Sequence, residues 1–291
     1  MEQKEPMELG LQLLKDINIV RHNEFRFINA EFGFVTSFSK METTIFKIGQ
    51  PYRLQEGRIA IITNGRARVL INLIEYIFRP NYISLIAPGS IIQIIETSQD
   101  FDAHMMAIVS GKEEFFAHFL QRKKNLLLPL TTTEQVQIEN FITVMWDVLQ
   151  EPVFRKEVIQ HLLAGLLYNI EYIAKNKGQS ESSPLTHQND IFQRFISLVN
   201  TYSKTERNVS FYADKLCLTP RYLNTVIRQA SQQTVMDWIN QSIILEAKVL
   251  LKHSNRLVYQ ISDELNFPNP SFFSKFFKRM TGMTPQEYQK N

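Results

Sequence analysis

The chain has 291 residues, room for two domains of ordinary size, with 44% hydrophobic and 21% charged residues. That balance belongs to a folded globular chain and excludes a disordered or fibrous one. The net charge of +3 is unevenly spread: 190–291 holds 13 Lys and Arg against 8 Asp and Glu, and the rest holds 19 against 21. A basic last third suits a polyanionic partner, although many solvated helical faces are mildly basic too. The single cysteine, Cys217, excludes an intrachain disulfide and fits a reducing compartment. The opening "MEQKEPMELGLQLLKD" mixes acids with bases and predicts no signal peptide. No apolar run approaches the roughly 18 residues of a membrane span, so a cytoplasmic chain without membrane contact is expected.

Residues 1–19 read as an N-terminal tail. From 20 to 112 the chain reads mainly as strands, with runs "TTIFKI" (43–48), "GRIAII" (57–62), "ARVLINLIEYIF" (67–78) and "YISLIA" (82–87). Turn signals separate them: Asn64-Gly65, a favoured hairpin pair, then Pro80-Asn81 and Pro88-Gly89. Short strands at this spacing predict a small β-barrel or sandwich.

From 113 to 178 the pattern becomes helical, through "EEFFAHFLQRK", "TEQVQIENFITVMWDVLQ" and "FRKEVIQHLLAGLLYNIEYIAKNK". In the last run Val158, His161, Leu162, Gly165, Leu166, Ile170 and Ile173 recur at helical spacing, while Leu163, Leu167 and Tyr168 extend the apolar surface to a second side. A helix apolar on two sides predicts burial in the fold and against a second copy. The polar stretch 179–189, with Ser and Pro, reads as a linker.

The segment 190–291 is helical in pattern and repeats itself. In "NPSFFSKFFKRMTG" (269–282), Phe272, Phe273, Phe276 and Phe277 share one helical face, while Ser271, Ser274, Lys275 and Lys278 share another. Asn269 is a good N-cap, Pro270 suits the first helical position and Gly282 can end the helix. Fifty residues earlier, "TPRYLNTVIRQASQQT" places Thr219 as cap and Pro220 first. Tyr222, Leu223, Val226 and Ile227 form its apolar face, and Arg221, Asn224, Thr225 and Arg228 its polar face. Thr234, Asp237 and Trp238 likewise precede Thr284, Glu287 and Tyr288 by fifty. A shared offset of caps, anchors and polar positions indicates two copies of one unit. A shorter helix precedes each copy, "VSFYADKLCL" (209–218) and "LVYQISDELNF" (257–267), predicting helix-turn-helix units at about 209–231 and 257–281. A long helix over "QTVMDWINQSIILEAKVLLKH" (233–253) joins them.

The segment 190–291 resembles the DNA-binding domain of the AraC/XylS family of transcription regulators, in "YADKLCLTPRYLNTVI" and throughout "EAKVLLKHSNRLVYQISDELNFPNPSFFSKFFKRMTGMTPQEY". The family usually has Gly where this chain has Cys217, Gln232 and Asn266. If the backbone needs positive φ there, Cys217 and Gln232 carry a conformational cost that Asn266 largely avoids. Thr225 and Ile227 stand where Arg and Phe are common, so the first unit is expected to read its own sequence.

The resemblance implies a sequence-specific regulator whose partners are promoter DNA, a second copy, RNA polymerase and a small-molecule effector, with no cofactor. A helix fits the major groove. Arg221, Asn224, Thr225 and Arg228, with Ser271, Ser274, Lys275 and Lys278, are therefore the candidate base readers, and Lys278 and Arg279, near the helix end, are alternatively phosphate grips. The order of domains resembles family members with a cupin-like sensing barrel followed by dimerising helices. Which residues would bind an effector is open: Arg58, Arg66 and Arg68 flank a predicted hairpin and read more readily as exposed turn charges. No enzyme is expected. His22 and His104 are isolated, no catalytic motif occurs, and Cys217 reads as a small buried hydrophobe. One rival is a cupin-type ligand-binding or catalytic protein whose basic helices meet another acidic partner. A second is a structural DNA-bending protein with little sequence preference.

Overall fold

Strands β5 (Gly57–Asn64) and β10 (Asp102–Ile108) run antiparallel through the middle of a sheet that is buried on both faces. A computed structural model describes residues 22–29, 32–40, 46–108, 125–180 and 187–290. They divide into two compact units, within Glu8–Glu181 and Ser182–Asn291. The tail 1–19, the predicted helix at 113–123 and the centre of the predicted linker lie outside the described residues.

In the first unit, β1 (His22–Asn23), β2 (Arg26–Ile28), β3 (Phe32–Val35), β8 (Tyr82–Ile86) and β11 (Leu126–Pro129) complete a seven-stranded sheet ordered β1-β2-β3-β10-β5-β8-β11. A second sheet is ordered β4-β9-β6-β7, from β4 (Pro51–Arg53), β9 (Ile91–Thr97), β6 (Ala67–Ile71) and β7 (Ile74–Phe78). All pairings are antiparallel. The fold is the sandwich alternative, two sheets and not a closed barrel.

Side chains alternate along a strand, so β5 sends Ile59 and Ile61 to one face and Ala60 and Ile62 to the other. Ala60, Ile62, Val35 and Ile86 pack on Tyr52, Val69, Ile71 and Phe78 of the second sheet. Ile59, Ile61, Phe34, Ile83 and Met106 pack instead on α1 (Thr132–Leu149) and α2 (Lys156–Ser180). A sheet covered twice has no polar face. This is why the apolar runs gave no sign of which positions point inward.

Three readings of this unit are corrected. Asn64-Gly65 is not a hairpin turn, because β5 and β6 belong to different sheets. Gly65 (φ 66°) carries the chain between them, where a side chain would overlap Phe101. The two-residue hairpin lies inside "ARVLINLIEYIF", where Asn72 (φ 49°) and Leu73 (φ 73°) both adopt the left-handed conformation and β6 pairs with β7 from Ala67↔Phe78 to Ile71↔Ile74. Asn72 is held there by accepting from Ile91 N (2.8 Å) and donating to Ser90 Oγ (3.2 Å). Of the run 43–48, the described residues 46–48 are not strand, and β11 falls in a stretch read as helical.

The buried stripe of α2 is also rotated from the predicted one. It comprises Ile159, Leu163, Leu166, Leu167, Ile170 and Ile173, with Val158, His161 and Tyr168 exposed. Gly165 lets Phe141 of α1 approach closely, since a Cβ there would lie 3.1 Å from the ring. His104 sits on β10 with Nδ1 2.6 Å from Thr36 O, a structural contact.

The second unit is helical: α3 (His187–Tyr202), α4 (Val209–Lys215), α5 (Pro220–Ser231), α6 (Val235–His253), α7 (Val258–Glu264), α8 (Pro270–Thr281) and α9 (Pro285–Lys290). Helix α6 buries residues all round, including Trp238, Ile239, Ile243, Ala247 and Leu251, and packs on α3, α5, α7 and α9. Among the described residues no helix is long and apolar enough to cross a membrane.

Candidate nucleic-acid interface

Two helix pairs in the second unit are built from the same local parts. Thr219 Oγ1 accepts from Tyr222 N (3.2 Å) to cap α5, and Asn269 Oδ1 accepts from Phe272 N (3.0 Å) to cap α8; a proline follows each cap. Each helix ends in a left-handed residue whose N–H donates four residues back: Gln232 (φ 61°) to Arg228 O and Gly282 (φ 82°) to Lys278 O.

The turns inside the pairs match as well. After α4, Cys217 (φ 58°) reverses the chain and Leu218 N donates to Ala213 O (2.9 Å). After α7, Asn266 (φ 55°) does so and Phe267 N donates to Ser262 O (3.0 Å). All three positions where the family favours Gly thus have positive φ, and the first helix pair keeps the turn geometry of the second despite Cys217 and Gln232. The turns differ in length by one residue, so the leading helices are 49 apart and the anchored ones 50. Cys217 is exposed, not a buried hydrophobe, because the left-handed turn points its side chain away from the core.

Burial sorts the two helical faces. Leu223, Val226 and Ile227 are buried on α5, and Phe273 and Phe277 on α8. The Phe273 ring centroid lies 5.1 Å from that of Phe267 and 5.9 Å from that of Phe277, both rings tilted against it. Phe276 is half-buried beneath the Arg279 guanidinium (5.6 Å). Tyr222 and Phe272 depart from the predicted apolar faces, for they are 43% and 60% exposed. The third residue of each helix lies at the edge of the stripe, where burial is only partial.

The predicted readers lie outward. Arg221, Thr225, Arg228, Ser271, Lys275, Lys278 and Arg279 are exposed; Asn224 and Ser274 are half-buried. Two of them are engaged locally. Asn224 donates to Pro220 O (3.1 Å) and accepts from Val235 N (3.4 Å), tying α5 to the start of α6, and Thr225 Oγ1 donates to Arg221 O (3.0 Å). Ser271, Ser274 and Lys275 border an open groove with Leu257, Tyr259 and Gln289.

Capping boxes recur beyond both pairs. Asp237 accepts from Thr234, and Glu287 accepts from Thr284 N (2.7 Å); these hydrogen bonds to the charged form hold both carboxyls below their usual range. Sequence inspection did not single out the residues that join the two pairs. Arg207 donates to Leu265 O and lies 3.8 Å from the Phe267 ring centroid, and Asn266 Nδ2 donates to Thr205 O (3.2 Å). The segment before α4 is thereby bound to the turn between α7 and α8. An arginine 58 residues from its partner leaves no local pattern to read.

Residues 212–291 match the family described as a helix-turn-helix domain. The C-terminal unit is a helix-turn-helix domain and resembles the AraC/XylS type. Among curated relatives, the HTH-type transcriptional activator RhaR of Escherichia coli K12 is 28% identical over 129 residues, 44% of this chain and 46% of RhaR. The chain thus spans about half the length of the curated relatives it matches. Among solved structures, an apo variant of ToxT from Vibrio cholerae strain SCE256 is 16% identical over 90% of this chain and 97% of its own, with a TM-score of 0.41. The C-terminal domain of the response regulator yesN from Fusobacterium nucleatum is 21% identical over 33% of this chain and 95% of its own, with a TM-score of 0.32.

Of the three arginines near the predicted hairpin, Arg58 is no turn charge. It is the second residue of β5, is largely buried, pairs with Glu56 (3.0 Å), and has its pKa lowered by burial against the opposing pull of Glu56. Arg68 pairs with Glu75 (3.0 Å) and Glu96 (3.4 Å) at the surface, and Arg66 is exposed. Arg58 borders a cavity of about 80 Å³ between the two sheets, otherwise lined chiefly by apolar side chains such as Val35, Val69, Phe78, Ile92 and Phe101.

Proposed function

We propose that this chain is a sequence-specific DNA-binding transcription regulator of the AraC/XylS type. The observation that carries the reading is the duplicated helix pair, with matching caps and turns, burying its apolar side and turning a basic, hydroxyl-rich side outward. Helix α6, 19 residues and so about 28 Å long, lies between the pairs. Held about one DNA turn apart, roughly 34 Å, α5 and α8 would enter two successive major-groove segments, and one chain would read an asymmetric site. Arg221 and Arg228 suit bidentate contact with guanine, while Ser271, Ser274 and Thr225 discriminate less. Lys275 serves as a reader beside them, and Lys278 and Arg279 grip phosphate. Asn224, engaged with the α6 backbone, reads adenine only by exchanging those bonds.

In this reading the chain acts by binding in the cytoplasm and not by turnover. Its first unit senses a small-molecule effector, with the cavity between the sheets as its seat, and a second copy docks on α1 and α2, where Val144, Tyr168 and Tyr172 are exposed. RNA polymerase is the remaining partner.

A mobility-shift titration against promoter duplexes tests the reading. Wild type is expected to shift selected duplexes with affinity falling steeply as salt rises, and Lys275→Ala or Arg221→Ala to weaken binding and relax its sequence preference. Identical, salt-insensitive behaviour of all three proteins would refute it. Uniform binding to every duplex would favour the DNA-bending alternative.

A further inference from the structure

Tyr222 and Phe272 are not needed by the core. Each is the third residue of its helix, each directly precedes a fully buried residue (Leu223, Phe273), and they stand fifty residues apart. Isolated exposed apolar side chains are ordinary. Recurrence at the same position after the cap, in both copies, is not explained by chance exposure. Each ring also stands among the proposed DNA-facing groups: Tyr222 beside Arg221 and one turn from Thr225, Phe272 beside Ser271 and one turn from Lys275.

On the edges that base pairs present in the major groove, the C5 methyl of thymine is the apolar group. We propose that Phe272 and Tyr222 are specificity-determining residues that read thymine, each ring packing on a C5 methyl in the groove entered by its helix. Hydroxyls and cations at the neighbouring positions fix the register, and the ring then discriminates thymine from cytosine at one or two positions per helix. The inference rests on the DNA-binding reading above.

The test uses the full chain and a pool of random 30-base-pair duplexes. After enrichment, each thymine of the best-bound duplex is replaced singly by deoxyuridine, which removes the methyl and keeps the hydrogen-bonding groups. Wild type is expected to lose about fourfold in affinity at one or two thymines under each helix, the change that burial of one CH₂-sized group corresponds to. Phe272→Ala should bind more weakly and become indifferent to uracil under α8 only, and Tyr222→Ala likewise under α5. Both rings are exposed, so melting temperatures close to wild type are expected and confirm that recognition alone has changed. Enrichment of a sequence with no thymine sensitive to uracil overturns the inference and leaves the DNA-binding reading standing. So does uracil sensitivity that survives in both variants. Failure of wild type to enrich any sequence overturns both.

Discussion

Replacing Phe273 by Ala should separate the two faces of α8 more sharply than any other single change, because its neighbour Phe272 provides the control. Phe273 is wholly buried and its ring lies against Phe267 and Phe277; Phe272 is 60% exposed. Truncating a buried Phe loses its transfer free energy and leaves a cavity, together about 3–5 kcal/mol. The two lost ring pairs fall within that figure, at about 0.5–1.5 kcal/mol each. In a domain of about 100 residues each kcal/mol shifts Tm by about 4–8 °C, so Phe273→Ala should lower the melting temperature of the helical unit by at least about 12 °C. Phe272→Ala and Lys275→Ala should stay within about 0.5 kcal/mol of wild type. Scanning calorimetry of the full chain, with the transitions of the two units assigned separately, reads all three. Equal losses for the adjacent phenylalanines would refute the division of faces, and with it the assignment of an outward reading surface.

Other consequences are as direct. Gly282 has φ 82° with open space where a Cβ would sit, so Gly282→Ala should cost about 1 kcal/mol from backbone strain alone, whereas Gln232→Gly at the matching position should stabilise by about 0.5 kcal/mol; urea unfolding checks both. The carboxyls of Asp237 and Glu287 have folded pKa values below their unfolded ones. Their contribution is therefore complete above the unfolded values, about 3.9 and 4.3, and is lost as pH falls through the folded ones. An Asp237→Asn, Glu287→Gln double variant should show a shallower loss of helical stability between about pH 5 and 2, and an unchanged slope would dismiss the capping role. Tyr168→Glu with Tyr172→Glu should shift a dimer to monomer by light scattering, while the far-ultraviolet circular dichroism stays as in wild type.

What the sequence by itself determined lies mostly in 190–291. Caps, first-turn prolines, helix-ending residues and apolar spacing act within a few residues of one another, so Thr219-Pro220 and Asn269-Pro270 announce their helices locally, and repetition at a fixed offset confirms them. The positive φ at Cys217 and Gln232 stayed conditional in the sequence, resting on the family's preference for Gly there, and the structure supplies it. Tertiary structure decided the rest. It set which edge of each stripe is covered, exposing Tyr222 and Phe272 and rotating the buried face of α2 to Ile159, Leu163 and Leu167. It placed Asn64-Gly65 at a crossing between sheets and hid the true hairpin at Asn72-Leu73 within one apolar run. It buried Arg58 against Glu56 and brought Arg207 to Phe267. These outcomes depend on partners dozens of residues away, and on a central sheet covered on both faces. Alternation and helical spacing record only how a segment differs from side to side, and a segment buried on both sides, or sealed by a distant neighbour, carries no such difference to read.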